Sequence, residues 1–362
     1  MTIQDATIDE IKKEVQARLI ETPKELLKKD DVYDVLKYIA PGTSLRSGIE
    51  GVLKAKTGAL IVIENDVVPK IIEGGFKVNC RFTPQRLIEL SKMDGAMVLS
   101  KDMKKIVYAN ALLTPDNSIS SNETGTRHKA GERSAKQAKT MVIAISQRRD
   151  EITLFYKNIR YVVHNYNDVI RRATEVLQIL EKHKEVFEKI QEGLNREETN
   201  GTSNISRAVS LIQKSKMILK ISETLKKHII ELGAEGTIVK ARLKEILHNV
   251  ERECNNVVRD YSRIGLYRSN RQLDLLSYDE LVEPDSIKSC LGFSEDVGNT
   301  FPRGYRVLSK IGLSDKSSGM LIKEFKNLPT ILSANPEEIN RVLVEKGIEV
   351  SERFRKLKNG GA

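Results

Sequence analysis

Cysteine and histidine are scarce in this chain of 362 residues, and no long apolar run is present. The three cysteines, Cys80, Cys254 and Cys290, are scattered and never paired as C-x-x-C, which excludes a disulfide framework and a cysteine-ligated zinc site and fits a reducing cytoplasm. The five histidines leave little room for a His-rich metal centre. Neither a Walker A segment nor G-x-G-x-x-G nor H-E-x-x-H occurs; KAKTGAL (54–60) holds Lys-Thr beside Gly, but in the wrong order and ahead of a strand. The longest apolar runs, such as ALIVI (59–63) and MVIAI (141–145), fall far short of the ~18 residues of a membrane-spanning helix. The opening MTIQDATIDEIKKE has no signal-peptide core. A cytoplasmic protein without a membrane partner is expected.

What is present is charge. Lys plus Arg number 60 against 50 Asp plus Glu, a formal net charge of +10, which suits polyanionic partners but also serves plain solubility. The length suggests two or three domains, and the texture changes along the chain.

From about 43 to 163, β-rich runs recur: ALIVI, FKVNC (76–80), GAMVLS (95–100), KIVYA (105–109), TMVIAIS (140–146), ITLFY (152–156) and IRYVV (159–163). Between them, SLRSGIEGVLKAK (44–56) and TPQRLIELSKM (83–93) open on Ser or Thr before a helical apolar period. A layered α/β domain with a central sheet is expected.

From about 165, long amphipathic helices take over. Their stripes are Val169, Ala173, Val176, Leu180, Phe187 and Ile190, then Ile218, Ile221, Leu225, Ile229 and Leu232. Between them the polar EGLNREETNGTSN (192–204) predicts a loop. Val239, Leu243, Ile246, Val250, Cys254, Val258 and Tyr261 make a third stripe, predicting one helix over 234–262, about 43 Å long at about 1.5 Å per residue. Cys254 on that stripe reads as a core thiol. From about 290, short helices alternate with turns, and glycine hairpins at Gly312 and Gly347 suggest a tandem repeat.

Chemistry concentrates in MDGAMVLS (93–100), YANALLTPD (108–116), NETGTRHKAGER (122–133) and AISQRRD (144–150). Asp94 at the start of a strand could polarise a hydroxyl or bind a metal, or could simply be the Asp of a turn before Gly. Gly95 has no side chain to keep a ligand off the backbone. Thr124-Gly125-Thr126 followed by Arg127, His128 and Lys129 offers helix-start N–H groups, hydroxyls and cations suited to polyphosphate; a solvated, charged helix start fits the same residues.

In four runs, in order and spacing, the chain resembles the DisA family of DNA integrity scanning proteins, which are diadenylate cyclases. These are D-G-A at 94–96, N-x-x-L-x-P-D at 110–116, S-x-E-T-G-T-R-H at 121–128 and A-I-S-x-R-R at 144–149. The resemblance extends through SLRSGIEGVLKAKTGALIV (44–62), ELGAEGTIVKARL (231–243), VVRDY (257–261) and RGYRVLSKI (303–311).

It implies an α/β cyclase domain with a central mixed sheet at 1–163, an all-α helical spine at 164–289 and a C-terminal helix-hairpin-helix domain at 290–362. The implied reaction condenses two ATP into cyclic di-AMP with release of two pyrophosphates. It takes place between face-to-face cyclase domains of a homo-octamer, with Mg²⁺ or Mn²⁺. Asp94 is then the metal-binding catalytic residue beside the attacking 3′-hydroxyl, with Arg127 and His128 also catalytic. Gly95, Ala96, Leu113, Thr126, Arg127, His128, Lys129, Ala130 and Ser146 hold the nucleotide.

DNA, including branched or damaged structures, is the implied partner of the terminal domain through Lys310, Gly312, Ser314 and Gly347, in keeping with a role in DNA repair. Arg303, Arg306, Arg353, Arg355, Lys356 and Lys358 could add counter-charge, while Glu349 in the second hairpin disfavours phosphate. Lys129 stands where the family usually has Arg, giving up a bidentate fork. Gly131 stands where it has a helix-favouring residue, weakening the helix start by about 1 kcal/mol. These departures support the second reading, a non-catalytic DNA-binding scaffold with a degenerate nucleotide domain.

Overall fold

The computed structural model describes residues 33–293, 300–343 and 350–354, without 34 and 351. The chain forms two compact units: residues up to Ile170 together with Ile230–Gly236, and Arg171–Ile229 together with the residues from Thr237 onward.

The first unit is built on a mixed sheet. Its strands are β1 (Ala59–Ile63), β2 (Ile72–Glu73), β3 (Phe76–Arg81), β4 (Ala96–Leu99), β5 (Lys105–Leu113), β6 (Met141–Ser146), β7 (Glu151–Tyr156) and β8 (Ile159–Val163). The order is β2-β5-β4-β1-β6-β7-β8, with β3 also paired to β5. β1 runs parallel to β4 and antiparallel to β6, so it is central, and every residue of ALIVI is buried, as expected of a strand covered on both faces. Each of the seven β-rich runs read from the sequence overlaps a strand.

Successive β1 side chains alternate between two cores. Ala59, Ile61 and Ile63 pack with Ile49, Val52 and Leu87 under helices α1 (Ser44–Lys54) and α2 (Pro84–Leu90). Leu60 and Val62 pack with Ala135, Ala138 and Phe155 under helix α3 (Thr126–Ala138). Thr43, one residue before the expected Ser44, caps α1 by accepting from Arg46 N, and Thr83 caps α2.

The second unit is helical. Helix α4 (Tyr166–Thr199) continues through most of the segment read as a loop, which shrinks to 200–204; α5 follows at Ile205–Leu232. NREET lacks Gly and Pro, and polarity alone does not end a helix.

The helix expected over 234–262 is two, α6 (Thr237–Leu247) and α7 (Val250–Tyr261), broken at Asn249 with φ 63°. Asn tolerates this left-handed conformation better than most residues. All seven residues of the third stripe are nevertheless buried, because the apolar steps continue across the break. Cys254 is a core thiol, pushed up to about 11 by burial.

Helices α8 (Leu266–Leu275), α9 (Tyr278–Val282) and α10 (Pro284–Cys290) follow, then α11 (Tyr305–Lys310), α12 (Asp315–Phe325), α13 (Leu328–Ser333) and α14 (Pro336–Leu343). The last four enclose a small core around Leu308, Leu321, Leu328, Ile331 and Ile339. Gly312, φ 82°, makes the turn between α11 and α12, and Ser314 caps α12 by accepting from Ser317 N. Gly347, Glu349, Arg355, Lys356 and Lys358 lie outside the described residues.

Arg306 corrects an expectation. It is fully buried, donating from Nε and Nη2 to Glu198 Oε2 at 3.1 and 2.5 Å and from Nη1 to Asn195 Oδ1 at 2.5 Å and Glu253 Oε2 at 3.4 Å. It neutralises carboxylates of α4 and α7 and is not available as counter-charge for an external phosphate. Arg303 is likewise engaged, donating to Arg259 O and Ser262 O. Lys310 Nζ donates to Asn195 Oδ1 at 2.6 Å, and burial of the ammonium, aided by Arg306, brings it down to about 8.

Candidate functional site

An open cleft of about 320 Å³ lies in the first unit where four elements converge. The β4 start gives Gly95 and Ala96, the β5 end gives Ala111, Leu112 and Leu113, the start of α3 gives Thr126, Arg127 and Ala130, and β1 supplies Leu60. Six of the sequence-selected residues thus line one cavity. Asp94 is exposed directly before Gly95, Lys129 is exposed on α3, and Ser146 ends β6, accepting from Arg149 N at 3.3 Å.

The glycine of D-G-A is demanded by the chain itself. Gly95 has φ 98°, and a Cβ there would meet the carbonyl carbon of Asn110 at 2.9 Å and Ala111 O at 3.0 Å. The strands shift register at this point, with Asn110 at φ 55°. The resulting bulge brings β5 against Gly95. The tight turn therefore leaves Gly95 lining the cleft, with the exposed Asp94 next to it in the chain.

Helix α3 opens on Gly125, whose backbone is extended and which offers no side-chain cap. Its first-turn N–H groups and the positive end of its dipole therefore face outward for an acceptor from elsewhere. Gly131, expected to weaken this helix, is buried, and a Cβ there would lie 3.0 Å from Leu60 Cδ1 and 3.4 Å from Val142 Cγ1. Its missing side chain lets α3 lie close on the sheet, a packing role the propensity scale does not register.

Arg127 lies over Gly58, where a Cβ would come within 1.8 Å of Nη1. His128 meets Phe155 edge-on, ring centroids 6.4 Å apart. Burial holds its pKa below the ordinary imidazole value, against the opposing charges of Glu123 and Glu151.

The loop before α3 is tied down by residues the sequence reading passed over. Glu132 Oε2 accepts from Ser121 Oγ at 2.5 Å and Asn122 N at 3.1 Å, and Glu132 pairs with Lys136 at 2.8 Å. Burial pushes the Glu132 carboxyl up, but Lys136, Ser121 and Asn122 together hold it below its usual range. Arg133 donates to Ile119 O and Asn117 Oδ1, Lys136 to Ser120 O, and Gln137 accepts from Asp116 N. One polar helix face thus joins two of the short runs, N-x-x-L-x-P-D and S-x-E-T-G-T-R-H.

A resident metal does not fit these residues: among the described residues no three His, Cys, Asp or Glu side chains gather as ligands. Asp94 as a lone carboxylate does suit Mg²⁺ or Mn²⁺ arriving on nucleotide phosphates, which needs only one or two protein carboxylates. Among the described residues no helix is long and apolar enough to cross a membrane.

Residues 46–159 match the family described as DisA bacterial checkpoint controller nucleotide-binding, and residues 163–300 match the DisA bacterial checkpoint controller linker region. The chain is 39% identical to the DNA integrity scanning protein DisA of Clostridium kluyveri over 92% of its own length and 96% of the relative's. It is 41% identical to the protein of that name from Acetivibrio thermocellus, over 87% and 90% of the two chains. The counterpart from Clostridium beijerinckii is 40% identical over 86% and 90%.

Proposed function

The chain belongs to the family of the DNA integrity scanning protein DisA, and from that membership we propose that it is a diadenylate cyclase condensing two ATP into cyclic di-AMP and two pyrophosphates. The observation that carries this reading is the convergence of D-G-A, the Leu113 strand end and the uncapped start of α3 on one cleft.

Each domain binds one ATP. Leu60, Ala111, Leu112 and Leu113 present an apolar wall for the base and sugar, and the α3 N–H groups with Thr126, Arg127 and Lys129 receive the phosphates. Such chemistry needs alignment and charge neutralisation more than covalent help. Asp94 faces the 3′-hydroxyl and holds the divalent ion that arrives with the nucleotide. When bound, that ion supplies Lewis-acid polarisation and charge neutralisation at the phosphates. His128, whose pKa burial lowers, offers an imidazole hydrogen bond at the same helix turn. Ser146, at the neighbouring strand end, lies within the same phosphate region.

A single cleft holds one nucleotide, and the 3′-hydroxyl of one must meet the α-phosphate of the other. Two cyclase domains must therefore face each other, as in the proposed homo-octamer. The functional division is 1–163 cyclase, 164–289 spine and 290–362 helix-hairpin-helix. DNA is bound at the exposed turn of Gly312 and Ser314, with Lys310 close by and Gly347 as the second hairpin. The backbone N–H groups that open α12 meet phosphate there without reading sequence, since those of Gly312 and Leu313 already donate to Ser309 O and Leu308 O.

The test is incubation of the purified protein with ATP and Mg²⁺ or Mn²⁺, with cyclic di-AMP identified by mass. Asp94→Asn is expected to lose at least about 100-fold in product formation while still binding ATP. Undiminished synthesis by that variant would remove Asp94 from its role, and no product from the wild type would favour the scaffold reading.

A further inference from the structure

Glutamate is an unfavourable residue beside an anion site, yet Glu123 stands three residues before Thr126, where α3 begins. Its side chain is only 10% exposed, and Oε1 accepts from Arg160 Nε at 2.5 Å. Arg160 Nη2 also reaches Glu151 Oε1 at 3.4 Å. Arg160 is on β8, paired with Phe155 of β7, the ring that His128 meets. The loop into α3 is therefore anchored twice, at Ser121 and Asn122 by Glu132 and at Glu123 by Arg160. Between these anchors and the helix, Thr124 and Gly125 remain exposed.

Building on the cyclase reading, we infer that Arg160 is a positioning residue of the phosphate site, holding the Glu123 carboxylate against β8 and away from the incoming polyphosphate. A carboxylate freed from Arg160 would swing on the loop beside the first turn of α3 and repel phosphate in the space the helix dipole favours. Glu123 stands three residues before the first residue of α3, close enough in the chain for its charge to reach the first-turn N–H groups. Glu123 anchors the loop only while its charge is held, so the pair has a sign: losing Arg160 leaves a harmful charge, whereas losing the charge of Glu123 leaves a loosened loop alone.

The experiment measures binding of 3′-deoxy-ATP, which lacks the hydroxyl needed for cyclisation, to the full chain with Mg²⁺. Arg160→Met is expected to weaken binding roughly tenfold, and Glu123→Gln by less than about threefold. The double variant Glu123→Gln/Arg160→Met should return to within about threefold of wild type, since the unpaired charge is gone. Arg160→Lys, which keeps the charge, should also stay within about threefold.

A purely structural role predicts a double variant at least as weak as Arg160→Met, and that result would overturn the inference, as would wild-type affinity in Arg160→Met. Should Arg160→Met fail to melt cooperatively, Arg160→Gln takes its place in the same comparison. Wild-type protein that binds the analogue but makes no cyclic di-AMP from ATP defeats the cyclase reading and leaves the binding comparison decisive for Arg160. Wild-type protein that does not bind it defeats both.

Discussion

Gly58→Ala tests whether Arg127 acts from the position seen here. The added Cβ would lie 1.8 Å from Arg127 Nη1 and 2.9 Å from Cζ, against an ordinary contact near about 3.5 Å. The guanidinium must therefore retreat by roughly 1.5 Å. A misplacement of about 1 Å can cost roughly 100-fold where alignment carries the rate, and loss of a charge-assisted contact to phosphate is worth about 1.5–3 kcal/mol. Turnover should thus fall roughly 100-fold and ATP affinity roughly tenfold.

Stability, in contrast, should hardly change. The second neighbour, Ile145 O at 3.2 Å, is backbone and imposes crowding of about 1 kcal/mol, while replacing Gly restrains the unfolded chain by about 0.4–1 kcal/mol in the other direction. The assay pairs cyclic di-AMP formation with chemical denaturation, and includes Arg127→Ala alone and combined with Gly58→Ala. If Gly58 works through Arg127, the double variant is no slower than Arg127→Ala. Wild-type turnover in Gly58→Ala would refute the reasoning, as would a double variant slower than both singles.

Arg306→Met should destabilise the second unit by about 3–5 kcal/mol, because Glu198 and Glu253 are left buried without their cation; a change under about 0.5 kcal/mol in full-chain denaturation would contradict the network's energetic role. Ser314→Asp should preserve α12, since Asp caps a helix as well as Ser, and should lower DNA affinity by placing an anion at the hairpin. Unchanged binding across a salt titration would move the DNA contact away from this turn.

The sheet was legible because its signal is local. ALIVI, TMVIAIS and ITLFY are apolar on both faces, and only a covered central strand accommodates that. The cleft was legible through D-G-A, Leu113 and the Thr126-Arg127 pair, whose residue types match phosphate chemistry. What escaped reading depends on neighbours distant in sequence. Gly58 matters because Arg127 lies over it. Gly131 looked like a weak point in a helix because nothing local reveals that Leu60 sits against it. Glu132, Arg133, Lys136 and Gln137 resemble a solvated helix face until loop 116–122 is seen folded onto them.

A test of DNA binding has to leave the buried Arg306 network intact. In RGYRVLSK the basic residues look like a phosphate-binding cluster, but Arg306 is spent on Glu198 and Glu253. The start of α11 is held by Asp260, whose carboxylate accepts from the backbone N–H of Gly304, Tyr305 and Arg306. Burial and the Glu198 charge push Asp260 up to about 7, while those backbone donors pull the other way. Cutting the chain near 290 would therefore remove more than a DNA-binding module. It would strip the cation from Glu198 and Glu253 and the amide donors from Asp260, leaving three carboxylates of α4 and α7 uncompensated. Loss of DNA binding, or of cyclase activity, in such a truncation would be confounded by collapse of the helical unit. A single added charge at the exposed Ser314 turn leaves that buried network intact, and so separates contact with DNA from support of the fold.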